Sequence, residues 1–153
     1  MDRANRVLRA ADMSRYAAAF ASRAIMEARL PLDFSAGSLR IVDRVVDGLR
    51  RGVDDPVAAA RTLQDLGAYF GEVLVRRARA RWVDFDDTAS ELFRQPVGVR
   101  TPDGRAWNPL GKVVNRFELG SGESAYELFL VVPRRPKRLP LSGMADGRRQ
   151  AAA

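Results

Sequence analysis

The most constraining stretch of this chain is the run that follows Pro56. Leu63, Leu66, Phe70, Val73 and Leu74 recur at steps of three, four, three and one. That spacing places them on one face of a long helix whose apolar side must be covered by other elements. Gly67 and Gly71 lie on the same helix, four residues apart. Each weakens a helix by about 1 kcal/mol relative to Ala, so close approach of another backbone is expected there, room for a ligand being the alternative reading. Pro56 suits the first turn, with Asp54 or Asp55 as the cap.

Two further helices are expected upstream. Residues 5–30 contain Val7, Phe20, Ile25 and Leu30 among many alanines, with neither Gly nor Pro, and Pro31 ends the run. This helix carries few large apolar side chains, so it reads as an N-terminal extension (1–30) that a partner or a second copy would complete. Met13 is an alternative start. The second helix begins near Ser38, with Leu39, Val42, Val45, Val46 and Leu49 as its stripe and Gly52 closing it. Beyond Arg81 the period changes. Residues 82–85 alternate as a strand does, 97–101 and 105–108 flank the turn signal T-P-D-G, and 112–119 reads as another strand. Residues 125–132 are ambiguous. Their β-branched end favours strand, while Ser124 with Glu127 forms a capping box that tips the reading to helix. The order predicts an α+β fold in which three helices pack on a small antiparallel sheet, with one short closing element. A single domain spans 31–132.

Composition removes several kinds of chemistry. Among the 153 residues there is no Cys and no His. Thiolate nucleophiles, Cys- or His-ligated metals and a Ser-His-Asp triad are therefore excluded. No cofactor is expected. The formal charge is +7, yet its location matters more than its size. Residues 133–153 hold six basic side chains against one acidic, leaving 20 basic and 18 acidic for the rest. The tail, with three prolines and two glycines, is expected to be disordered, and Arg134, Arg135, Lys137 and Arg138 are its candidate anion contacts. Arg outnumbers Lys 24 to 2, the skew that a GC-rich coding sequence produces. The apolar stretch 16–21 is short and flanked by Arg15 and Arg23, unlike a secretory leader, and a cytoplasmic location is expected.

The sharpest short motif is Asp84-x-Asp86-x-Thr88. It resembles the D-x-D-x-T signature of haloacid-dehalogenase-like phosphatases, which implies a Mg²⁺-dependent phosphohydrolase with Asp84 as nucleophile and Asp86 as acid/base. The surroundings differ: only 65 residues follow Thr88, without the β-α units that supply the rest of such a site. The opposing expectation is an acidic loop leading into a helix capped by Thr88 or Ser90. Asp84, Asp86 and Asp87 are the candidates for metal binding. Glu72 is expected to pair with Arg76 one turn on, or to act as an acid/base if it is buried behind the glycines.

Taken as an ordered set, L-P-L-D-F-S-A-G-S-L (30–39), L-G-A-Y-F-G-E-V-L (66–74), R-W (81–82) and N-P-L-G-K-V-V-N-R-F (108–117) resemble a group of uncharacterised bacterial proteins frequent in actinobacteria. The resemblance implies a small α+β domain, with Tyr69, Gly71, Glu72, Trp82, Pro109 and Lys112 at the matching positions, and transfers no activity. Tyr69, Gly71, Glu72, Trp82, Trp107 and Lys112 are thus the interaction candidates. The expected function is a non-enzymatic module that binds another protein or itself, of the accessory, adaptor or immunity type. The alternatives are the phosphohydrolase and weak, sequence-independent nucleic-acid binding through the tail.

Overall fold

The computed structural model describes residues 7–134. Within them the chain is α+β. Helix α1 (Ala10–Ala28) is followed by α2 (Leu39–Arg51), α3 (Pro56–Ala78), β1 (Arg81–Asp84), α4 (Asp87–Phe93), β2 (Val97–Arg100), β3 (Ala106–Trp107), α5 (Pro109–Leu119) and α6 (Ala125–Val131). The strands form one antiparallel sheet in the order β1-β2-β3. Among the described residues no helix is long and apolar enough to cross a membrane.

Helix α3 is the hub. Asp55 caps it by accepting from the N–H groups of Val57 and Ala58, and Pro56 occupies its first turn. Its middle is buried on all sides, from Leu66 through Leu74. Gly67 meets α5: a Cβ there would lie 2.7 Å from the Leu110 Cα, closer than atoms can pack. This is the backbone approach expected for a helix glycine. Helix α1 packs on the same hub through Met13, Ala17, Ala21 and Ala24, all buried at steps of four, four and three. Small side chains let the two axes come close, so an alanine-rich helix joins the core with little apolar bulk.

The segment 112–119 is helix α5 and not a strand. Asn108 accepts from the Gly111 N–H as N-cap and Pro109 opens the first turn. Leu110, Val113 and Arg116 are buried at helical spacing, and tertiary packing on α3 and α2 overrides the β-branched pair Val113-Val114. Residues 125–131 are helical, with Ser124 accepting from the Glu127 N–H. Two expected caps move. Ser35, not Ser38, accepts at the start of a short 3₁₀ turn (Ala36–Ser38) that leads into α2. Asp86, not Thr88 or Ser90, caps α4. Gly52 follows α2 in extended backbone that any residue adopts. In the T-P-D-G turn Gly104 takes φ +87°, as the signal required.

Candidate functional site

Three of the sequence-selected residues converge where α1, α3 and β1 meet. Gly71 leaves a notch on α3 into which the Trp82 indole of β1 inserts; a Cβ at Gly71 would sit 2.1 Å from the Trp82 Cη2. The indole then reaches Glu72, which is only 4% exposed. The Glu72 Oε2 accepts from the Trp82 Nε1–H at 3.0 Å and from the Ser14 hydroxyl of α1 at 2.8 Å. Its Oε1 accepts from the Arg76 Nε–H at 3.3 Å. Glu72 is therefore buried beside the glycine and also pairs with Arg76, so the ion pair and the burial, posed as alternatives by the sequence, occur together. A buried carboxylate needs such partners, because unpaired it would cost several kcal/mol. The arrangement ties three elements together and uses both oxygens within the fold.

Tyr69 serves a second cluster. Ser38 donates to the Ser35 carbonyl at 2.6 Å, so the Tyr69 hydroxyl donates to the Ser38 Oγ at 2.7 Å while accepting from the Phe34 N–H at 2.8 Å. Burial raises the Tyr69 pKa above the usual phenol value. Its ring stacks on Phe34 with centroids 4.9 Å apart, and the Arg76 guanidinium lies 3.7 Å from the Phe34 centroid on a cation–π contact. Phe34 sits at φ 60°, a conformation that bulky side chains avoid, and these contacts hold it there. Trp107 is apart from both clusters and donates to the Thr101 hydroxyl at 2.9 Å. Pro109 is buried at the start of α5, and Lys112 bonds Glu123 at 2.5 Å.

The aspartates of the phosphatase-like motif are engaged with backbone. Asp84 accepts from the Ala10 N–H at 2.8 Å, satisfying a free donor at the start of α1. Asp86 accepts from the Ala89 N–H at 2.8 Å as the α4 cap. Asp87 is exposed in the first turn of α4. Among the described residues no three acidic side chains converge as a metal ion requires. Of the tail cations, Arg134 lies with its guanidinium 4.6 Å from the Phe129 ring centroid, whereas Arg135, Lys137 and Arg138 fall outside the described residues.

Sequence reasoning passed over the strongest charge network. Arg116 of α5, 8% exposed, makes a bidentate pair with Asp47 of α2 at 2.9 and 2.8 Å. Asp43, one turn earlier, accepts from the Ser124 hydroxyl at 2.6 Å and from the Ala125 N–H at 2.9 Å, fixing the start of α6. The Arg116 guanidinium holds the Asp47 carboxyl below the usual carboxylate range. The available signal was the pair Asp43 and Asp47 at helical spacing beside the buried Val42 and Val46. A second missed pair joins α1 to α3. Tyr16 donates to Asp65, and burial raises the pKa of both groups.

Two of the surface clefts among the described residues are apolar. The larger, about 490 Å³, lies between the segment before α1, α3, the approach to β2 and α5. Val7, Leu8, Pro96, Leu110 and Val114 wall it, with the amides of Gln64 and Gln95 as polar lining. The smaller, about 360 Å³, is lined by Leu30, Pro31, Ile41, Arg44 and Val45. No family model, curated protein or solved structure matches the chain.

Proposed function

We propose that this protein is a non-enzymatic interaction module whose contact surface is the larger cleft. The observation that carries the reading is the lining of that cleft: apolar walls from four parts of the fold, with the Gln64 and Gln95 side chains as the polar groups among them. Val7 on its wall is 67% exposed. An apolar side chain so placed gains by being covered, at about 25 cal/mol per Å² buried. The occupant of best fit is an apolar segment of another protein, presented as an amphipathic helix or an extended peptide. Supporting the reading, Glu72 uses both carboxylate oxygens inside the fold, and Asp84 and Asp86 each accept from a backbone N–H at a helix start.

The test is a matched pair. Ala60 lines the cleft and is exposed, so Ala60→Arg fills the opening without touching the core. Affinity capture from the source organism is expected to recover a protein with the unaltered chain and to lose it with Ala60→Arg. Size-exclusion with light scattering identifies a second copy of the chain as the occupant if the mass doubles and Ala60→Arg halves it. A strict monomer whose captured proteins are the same with and without Ala60→Arg would overturn the proposal.

A further inference from the structure

We propose that the outer face of the sheet, at Arg81 and Arg100, is a binding site for a phosphate-bearing anion. The strand register places Arg81 of β1 directly opposite Arg100 of β2. Side chains alternate along a strand, and Trp82 points inward to Gly71, so Arg81 points outward together with its cross-strand partner. The two side chains thus leave the same face of the sheet from opposed positions, with Cβ atoms about 5 Å apart by the geometry of such pairs. Directly opposed like charges destabilise a sheet. Among the described residues neither Arg81 nor Arg100 belongs to an ion pair. The acidic groups closest in sequence each accept hydrogen bonds from other residues. Asp84, at the far end of β1, accepts from Ala10, and Asp103, in the hairpin turn, accepts from the Thr101 hydroxyl and the Arg105 N–H.

The pair is also partly positioned. The Arg100 Nη1 donates to the Gly104 carbonyl at 2.6 Å, which holds that guanidinium at the mouth of the hairpin; among the described residues its other N–H groups have no protein acceptor. Arg81 is exposed, and Arg79, exposed two residues earlier, adds a third positive charge. A tetrahedral dianion between the two forks converts a repulsion into charge-assisted hydrogen bonds from both sides, the geometry at which Arg excels. The ligand class is a phosphate group, supplied either by a small phosphate compound or by the backbone of a single-stranded nucleic acid. This site is in the folded domain and is independent of the basic tail and of the cleft.

The experiment uses the full chain, so that the tail is common to every sample. Thermal unfolding is followed with inorganic pyrophosphate and, separately, with a short single-stranded oligonucleotide. The samples are the unaltered chain, Arg81→Gln, Arg100→Gln, the double variant, and Arg15→Gln as a charge-matched control, whose side chain is 82% exposed. The apparent affinity is expected to fall about tenfold or more in either single variant and to be unchanged in Arg15→Gln. Without anion, Arg81→Gln should unfold at a slightly higher temperature, because the repulsion is gone. Stabilisation by pyrophosphate alone assigns a small phosphate compound. Tighter binding of the oligonucleotide, with a salt slope that drops by about 1.4 in the double variant, assigns a phosphodiester backbone. An anion response that the double variant retains in full, or no response in the unaltered chain, would overturn the proposal.

Discussion

The same substitution, Gly to Ala, should have opposite signs at two helical positions of this protein. At Gly48, in α2, an added Cβ meets nothing within 4 Å. Gly48→Ala is therefore expected to stabilise by about 1 kcal/mol, the helix-propensity difference. At Gly71 the added Cβ would lie 2.1 Å from Cη2 and 2.4 Å from Cζ2 of Trp82. The indole must withdraw, at about 1–3 kcal/mol for overpacking. Withdrawal also breaks its bond to the Glu72 carboxylate, worth about 1.5–3 kcal/mol. Set against the propensity gain of about 1 kcal/mol, Gly71→Ala should destabilise by about 1.5–5 kcal/mol, near 3–20 °C in Tm for a chain of this length. Urea unfolding followed by circular dichroism measures both variants. Trp82→Phe removes the six-ring atoms in the clash, so adding Gly71→Ala to it should cost little, giving a coupling energy above about 1 kcal/mol. A neutral Gly71→Ala, or a double variant in which the two effects simply add, would refute the notch-and-indole account.

Three other outcomes follow from the charge networks and the caps. Arg116→Met leaves two carboxylates at the α2–α5 junction without their cation, and should destabilise by about 3–5 kcal/mol in chemical denaturation. Asp47 has a folded-state pKa below its ordinary value, so its contribution is present above about pH 4 and is lost as pH falls through the folded value. The stability gap between the unaltered chain and Asp47→Asn, measured by urea titration across the acid range, should therefore shrink as pH falls. Arg29 ends α1 at φ 52°, and Arg29→Gly should raise stability by about 1 kcal/mol by relieving left-handed strain; an unchanged or lower Tm would contradict this.

Local signals were legible wherever a residue acts on its own neighbours. Asp55 and Pro56 mark the start of α3, Gly104 the hairpin, and Ser124 with Glu127 the start of α6. Helix α5 departs from the strand that its β-branched pair predicts because the frame around it is stronger, Asn108 and Pro109 before and Gly120 after. Its buried spacing of three expresses contact with α3 and α2, which no local pattern reveals. The Gly71–Glu72–Trp82 cluster was legible only as separate letters. What joins them is the angle at which β1 leaves α3, and that depends on long-range packing. Arg116 was illegible for the same reason, since its partners lie on α2, 69 residues earlier for Asp47. The short motif at Asp84 and Asp86 shows the converse: a spacing suited to phosphoryl transfer is satisfied by two helix starts.

Occupancy of the cleft by a partner can be read by position-specific photo-crosslinking. A photoreactive residue is placed at Val114, on the cleft wall, and in a second chain at Arg51, exposed at the end of α2. After irradiation in the source organism, the account expects a discrete covalent adduct from position 114 that is absent from position 51 and is lost when Ala60→Arg is added. No adduct from position 114, or the same adducts from both positions, would contradict it.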